Sequence, residues 1–159
     1  MEIIMQNHVK FMNAALKEAE KAIKKDEVPI GAVIVKDGKI IARGFNERES
    51  KNDPTSHAEI VALRKAAKKI KSWRLPGCTI YVTLEPCAMC AGAILWARID
   101  EVVFAAKDPK GGALGSSFNL YEQPGINHRP RITSGIEAKK ASVMLSNYFQ
   151  AKRDKNKDK

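Results

Sequence analysis

Two cysteines, one histidine and one glutamate have the residue types and spacing to do chemistry. Cys87 and Cys90 sit in Pro86-Cys87-Ala88-Met89-Cys90. Residues three apart at the start of a helix are neighbours on one face, so both sulfurs can reach one ion. The positive end of the helix dipole favours thiolate over thiol, and thereby metal binding. Taken alone, the pair equally fits a redox dithiol of the thioredoxin kind or half of a structural zinc site. His57, in Ser56-His57-Ala58-Glu59 at the opening of the preceding helix, adds a nitrogen ligand. Two thiolates and one imidazole leave the fourth tetrahedral position free for water, the arrangement of catalytic rather than structural zinc. His8 and His128 lie far off in sequence, and Cys78 opens an apolar strand and reads as a small core residue. One Zn2+ per chain is the expectation.

Glu59 has two readings. Ser56 and Glu59 have the spacing of a capping box, in which the glutamate reaches back to the serine backbone N–H. Alternatively Glu59 is a proton carrier beside the metal, since the ligands' lone pairs are committed. His57-x-Glu59 followed by Pro86-Cys87-x-x-Cys90 is an established signature of zinc deaminases, and the pair favours the second reading. Replacing an amino group on an aromatic base by oxygen requires a hydroxide at neutral pH, which zinc supplies by lowering the pKa of water.

Elements in a fixed order must position these groups. Residues 8–24 read as a helix with Phe11, Ala15, Ala19, Ala22 and Ile23 on one stripe. Residues 30–35 and 39–45 are strands, and Asp37-Gly38 between them predicts a tight hairpin. A second helix starts near His57, with Ile60, Leu63, Ala67 and Ile70 as its buried stripe. Residues 78–83 form a strand, Pro86 suits the first turn of a helix running to about Ala97, and 101–105 form another strand. Lys107 to Asn119 is a glycine-rich loop. A last amphipathic helix covers about 137–151, with Ala141, Leu145, Tyr148 and Phe149 facing inward. This alternation predicts an α/β fold, a mixed sheet covered by helices, with sites at the strand-to-helix turns.

The 159 residues, 44% hydrophobic and 29% charged, suit one globular domain, expected over 1–151. Residues 152–159 read as a basic, frayed tail. The net charge is +10, of which +3 falls in those last eight residues, and the remaining +7 favours an anionic partner. The basic run from Arg64 to Arg74 contributes, although such a run is also what a solvated helix face looks like. Three cysteines, an odd number, argue against a disulfide framework. No apolar run is long enough to span a bilayer, and Met1 to Lys10 lacks a signal-peptide pattern. The expectation is a cytoplasmic protein with no membrane partner.

Beyond the metal motifs, Val28-Pro29-Ile30-Gly31-Ala32-Val33, Asn52-Asp53-Pro54-Thr55-Ser56, Thr83-Leu84-Glu85 and Ala91-Gly92 carry a wider resemblance. Together with Asp108-Pro109-Lys110-Gly111-Gly112 and Pro124-Gly125-Ile126-Asn127-His128-Arg129, they make the chain similar to bacterial tRNA-specific adenosine deaminases. These form the TadA family of the cytidine-deaminase-like superfamily. The resemblance runs from about Val9 to Arg153. It implies a three-layer α/β/α sandwich with a five-stranded sheet, a homodimer, and wobble adenosine-to-inosine conversion in an arginine tRNA. It assigns zinc to His57, Cys87 and Cys90 and the proton shuttle to Glu59. It further implies that Asn46 hydrogen-bonds the flipped base and that Asp108 contacts the loop sugar-phosphate. Asn127, His128, Arg129 and Phe149 would line the anticodon-loop groove. The partner is then a tRNA anticodon stem-loop, with no DNA expected. From the residues themselves, Asn46 could instead close a strand, Asp108 start a turn and Phe149 join the core.

Two other functions remain open. A small-molecule deaminase acting on guanine, cytosine or a nucleoside would share the zinc chemistry, and Trp96-Ala97-Arg98 is similar to a segment of free-base purine deaminases. A non-catalytic zinc-stabilised RNA-binding subunit would have no use for Glu59 or an open metal position.

Overall fold

In a computed structural model, described here for residues 2–158, ten elements follow one another along the chain. They are α1 (Glu2–Lys24), β1 (Gly31–Lys36), β2 (Lys39–Phe45), α2 (Ala58–Ile70), β3 (Cys78–Leu84), α3 (Ala88–Trp96), β4 (Glu101–Ala106), a 3-10 turn (Leu120–Glu122), β5 (Arg131–Ser134) and α4 (Ala138–Lys157). The five strands form one mixed sheet in the order β2-β1-β3-β4-β5. β1 is antiparallel to both β2 and β3, whereas β3, β4 and β5 run parallel. Lys36 pairs with Lys39 across a two-residue turn, and Asp37 and Gly38 have φ of 51° and 74°. That tight hairpin turn requires positive φ at both positions.

Side chains alternate across the sheet with a period of two, and the two faces carry separate cores. Ala32, Ile34, Ile80, Val82, Val102 and Phe104 pack with α2 and α3. Val33, Val35, Tyr81, Val103 and Ala105 pack on the other face with α1 and α4. The result is the three-layer α/β/α sandwich with five strands.

Two glycines set how closely helices approach. A Cβ at Gly31 would lie 2.1 Å from the Ala15 carbonyl oxygen on α1. One at Gly44 would lie 2.6 Å from the Ala58 carbonyl oxygen and 2.8 Å from the Ala62 nitrogen on α2. The first turn of α2 therefore rests directly on the β2 backbone. The buried face of α2 is accordingly Ala58, Glu59, Ala62, Leu63 and Ala66. Of the expected stripe only Leu63 is fully buried; Ile60, Ala67 and Ile70 are half-buried on the flank facing α3. Small residues won because helix and strand backbones nearly touch.

Other boundaries shift for similarly local reasons. α1 starts at Glu2 rather than 8, and its extra turns expose Ile3, Ile4 and Met5, so no buried periodicity marks them. Ile23 is exposed and not on the buried stripe. α3 begins at Ala88 with Cys87 as its N-cap, which puts Pro86 just before the helix. β5 has a half-buried, polar sequence and no sequence signal of its own. On α4 only Ala141 is fully buried, Leu145 and Tyr148 are half-buried, and Phe149 is exposed rather than inward. α4 runs on to Lys157 through the stretch expected to fray. Lys152 Nζ holds both Asp26 carboxylate oxygens at 3.1 Å, and Gln150 bonds Asp154 one turn on.

Gly44→Ala should force α2 off the sheet. Overpacking of this kind costs about 1–3 kcal/mol, and urea unfolding should show the midpoint falling accordingly.

Candidate active site

The carboxyl ends of β2 and β3 lie at the same end of the sheet, because β1 pairs antiparallel with both. The chain leaving β2 enters α2 at His57, and the chain leaving β3 enters α3 at Cys87. Both residues are N-caps in extended conformation, with φ/ψ of −72°/157° and −74°/176°, and neither side chain caps its own helix. Their functional atoms are thus free to turn toward each other.

They do so. His57 Nδ1 lies 3.7 Å from Cys87 Sγ and 3.5 Å from Cys90 Sγ. All three ligand atoms fall within 4.8 Å of one another, the one such cluster among the described residues. Tetrahedral bonds of about 2.0–2.3 Å to nitrogen and sulfur place neighbouring ligand atoms about 3.5 Å apart, so the group fits a metal ion of that geometry. The Cys87 thiol is lowered to about 4, chiefly by a hydrogen bond from Cys90 and then by one from His57. Cys90 is pushed strongly the other way by its partnership with Cys87 and by burial. His57 is raised, mainly through its hydrogen bond with Cys87. The third cysteine, Cys78, is fully buried in the core away from this cluster, and burial raises its thiol.

Glu59 does not form the capping box. Ser56 Oγ donates instead to Asp53 Oδ2 at 3.0 Å, and Glu59 lies on the buried side of α2 at 4% exposure. Burial lifts its carboxyl to about 7, with the negative Cys87 sulfur adding to the rise. A carboxyl beside the ligand cluster, outside the ligand set and able to hold or release a proton near neutrality, can serve as acid and base.

The remaining expected residues are spread more widely. Asn46 is buried, its amide donating to the Val28 carbonyl at 3.3 Å and its oxygen accepting from Arg48 N at 3.2 Å, so it closes the end of β2. Asp108 Oδ1 accepts from Lys110 N and Gly111 N at 3.1 and 3.2 Å and starts a turn. Phe149 stands edge-on to Tyr148 at 5.5 Å and lines a surface cavity of about 530 Å³ with Lys25, Val28, Arg48 and Lys152. That cavity adjoins Asn46 through Val28 and Arg48. Asn127 is exposed, His128 Nε2 bonds the Ile99 carbonyl at 2.7 Å, and Arg129 bonds the carbonyls of Tyr121 and Gln123. Asp100 N bonds Cys78 O, at the start of β3, and Arg131 N bonds Asp100 O. Residues 127–129 therefore sit by the amino ends of the parallel strands, at the end opposite Cys87. Within one chain they do not join the ligand cluster.

Among the buried glutamates that escaped the sequence reading, two hold loops. Glu27, 1% exposed, accepts from Glu49 N and Ser50 N at 3.0 and 2.7 Å. Burial opposes its ionisation, yet these backbone bonds outweigh it and lower its pKa. Glu85, 3% exposed, does the same for the loop after β4. The signal was there: each acid abuts an apolar stretch, where a carboxylate must find donors.

Comparison with known proteins bears on what such a site is for. Residues 6–153 match the MafB19-like deaminase family. The tRNA-specific adenosine deaminase of Bacillus subtilis is 48% identical over 147 residues, 92% of this chain and 91% of the relative. That of Haemophilus influenzae is 49% identical over 93% of this chain and 86% of its own. The chain belongs to the tRNA-specific adenosine deaminase family. A solved structure from work on A-to-I editing by tRNA:A34 deaminases superposes with a TM-score of 0.83 at 48% identity, covering 86% of this chain and 99% of that one. Guanine deaminase from Nitrosomonas europaea shares the fold at a TM-score of 0.75 but is 27% identical, over 88% of this chain and 83% of its own.

Cys87→Ala and Cys90→Ala should each abolish stoichiometric metal binding, which elemental analysis of the purified proteins reads directly. Cys78→Ala should keep the metal.

Proposed function

We propose that the protein hydrolytically deaminates adenosine to inosine at the wobble position of a tRNA anticodon, using zinc held by His57, Cys87 and Cys90. The observation that carries this reading is the ligand triad with Glu59 buried beside it, in a member of the tRNA-specific adenosine deaminase family. An arginine tRNA, the substrate implied by the motif resemblance, is the first to test. When bound, zinc lowers the pKa of a water molecule enough for it to act as a nucleophile near pH 7. With the metal bound, Glu59 would pass a proton from water to the purine ring nitrogen and then a second, from the hydroxyl added to the ring carbon, to the amine, which leaves as ammonia. Three ligands leave a coordination position for this chemistry, unlike the four of a structural site, which weighs against a non-catalytic RNA-binding subunit. An extruded loop base is reached at little cost, because single-stranded loops are already unstacked.

Asn46, at the end of β2, would hydrogen-bond the flipped base, and Asp108 and Phe149 would supply contacts to the anticodon loop. The cationic surface supports a phosphate-rich substrate over a free base: Lys107, Lys110, Arg48 and Lys25 all lie on the loops and cavities around the site end. The distance in relationship to guanine deaminase supports the same choice.

The proposal includes a homodimer. α2 and α3 present a shallow apolar groove with Ile60, Ala67 and Ala93, flanked by Trp73 and Trp96 at 55% and 67% exposure. Large exposed aromatics clustered in one patch suit a protein interface. This patch adjoins residues 127–129, since His128 holds the carbonyl three residues beyond Trp96. A dimer through it would let that segment of one subunit approach the site of the other. Sedimentation should give a dimer for the native chain and a monomer for Trp96→Glu.

An anticodon stem-loop with adenosine at the wobble position should yield inosine, whereas cytidine there, or free adenosine, guanine or cytosine, should react poorly. Affinity should fall about 0.7 log units per tenfold salt for each phosphate contacted. Glu59→Gln should retain zinc and lose about 10²–10⁴-fold in turnover. Efficient, salt-insensitive turnover of guanine without inosine formation would favour the small-molecule reading.

A further inference from the structure

We infer that Glu85 is a positioning residue: one buried carboxylate fixes the substrate-side loop, residues 107–116, to the segment that carries the metal-ligating cysteines. The inference rests on the proposed function for what the loop meets, and on geometry for the rest. Glu85 directly precedes Pro86 and Cys87. Its Oε1 accepts from Asp108 N at 3.1 Å and from the Ser116 hydroxyl. Its Oε2 accepts from Leu114 N and Ser116 N, each at 3.1 Å. Four donors from one loop thus surround one carboxylate, as a buried charge requires.

Two neighbouring contacts make the joint specific. Ala113 N donates to the Pro86 carbonyl at 2.9 Å, so the loop grips both residues before Cys87. At Gly112, a Cβ would fall 2.3 Å from the Glu85 carboxyl carbon and 2.6 Å from the Asp108 carbonyl oxygen. Only glycine lets the loop close over the acid. The Asp108 side chain then holds the next turn through Lys110 N and Gly111 N, so Glu85 anchors the whole run from Asp108 to Ser116. Lys107 and Lys110 ride on it, exposed.

Glu85→Gln tests the joint by its donor count. With the amide oxygen turned to Leu114 and Ser116 N–H, the amide NH2 meets the Ser116 hydroxyl, which can rotate to accept. Asp108 N–H alone is left without an acceptor. The variant should keep zinc and nearly unchanged kcat. KM for the stem-loop should rise about tenfold, as one lost hydrogen bond carried into binding implies. Amide exchange should quicken within residues 107–116 and not elsewhere. Ser116→Ala, which keeps the three backbone donors, should move KM and exchange the same way by less, and it supplies both readings if Glu85→Gln does not fold. Unchanged exchange in the loop, or loss of zinc with KM unaltered, would overturn the inference. If the native enzyme forms no inosine in any stem-loop, the proposed function fails, and exchange in the loop by itself decides whether Glu85 is the anchor.

Discussion

The seating of the first turn of α2 on the β2 backbone is the constraint on which the site depends. His57 and Glu59 are two residues apart at the start of that helix, and their partners come from another helix on another strand. A shift of the helix by the width of a methyl group would be comparable to the difference between a ligand distance and a contact distance. Gly44 and the small side chains of Ala58 and Ala62 remove the atoms that would cause such a shift. Packing in protein interiors is dense enough that this absence acts as a positive determinant of position. The antiparallel placement of β1 between β2 and β3 does the rest, by bringing the carboxyl ends of both to one end of the sheet.

Electrostatically, three of the buried acids at the site end of the sheet have different duties. Glu27 and Glu85 are surrounded by backbone N–H groups, which keep them ionised despite burial. Glu59 has no comparable set of donors, and burial pushes its carboxyl up to about 7. Environment, not residue type, separates two structural anions from one group able to exchange a proton. The two structural acids each hold a loop, residues 49–50 on one flank and 107–116 on the other.

The chemistry was legible in the sequence because it resides in short motifs at helix starts, where spacing alone fixes which atoms can meet. His57, Cys87 and Cys90 converge as their spacing implied. The strands of the interior were legible too, since residues such as Val33, Ile80 and Val102 sit in runs with a clear period. What could not be read were features set by contacts distant in sequence. Ser56 and Glu59 have capping-box spacing, but Asp53 captures the serine and the sheet buries the glutamate. β5 is a strand because β4 offers it an edge, not because Arg131-Ile132-Thr133-Ser134 demands one. The last turns of α4 are tied to Asp26, over a hundred residues away in sequence. The placement of residues 127–129 follows from three carbonyls, those of Ile99, Tyr121 and Gln123.

The ligand cluster and Glu59 belong to helices pressed against the sheet, whereas the surfaces around them belong to loops anchored at a few points, among them a buried acid. Loops held in this way can change length or sequence without disturbing the strands beneath, provided the suspending acid keeps its donors. Descent with modification can therefore alter the target while the reaction is inherited intact. A guanine deaminase with the same fold at 27% identity is the kind of cousin such an arrangement produces.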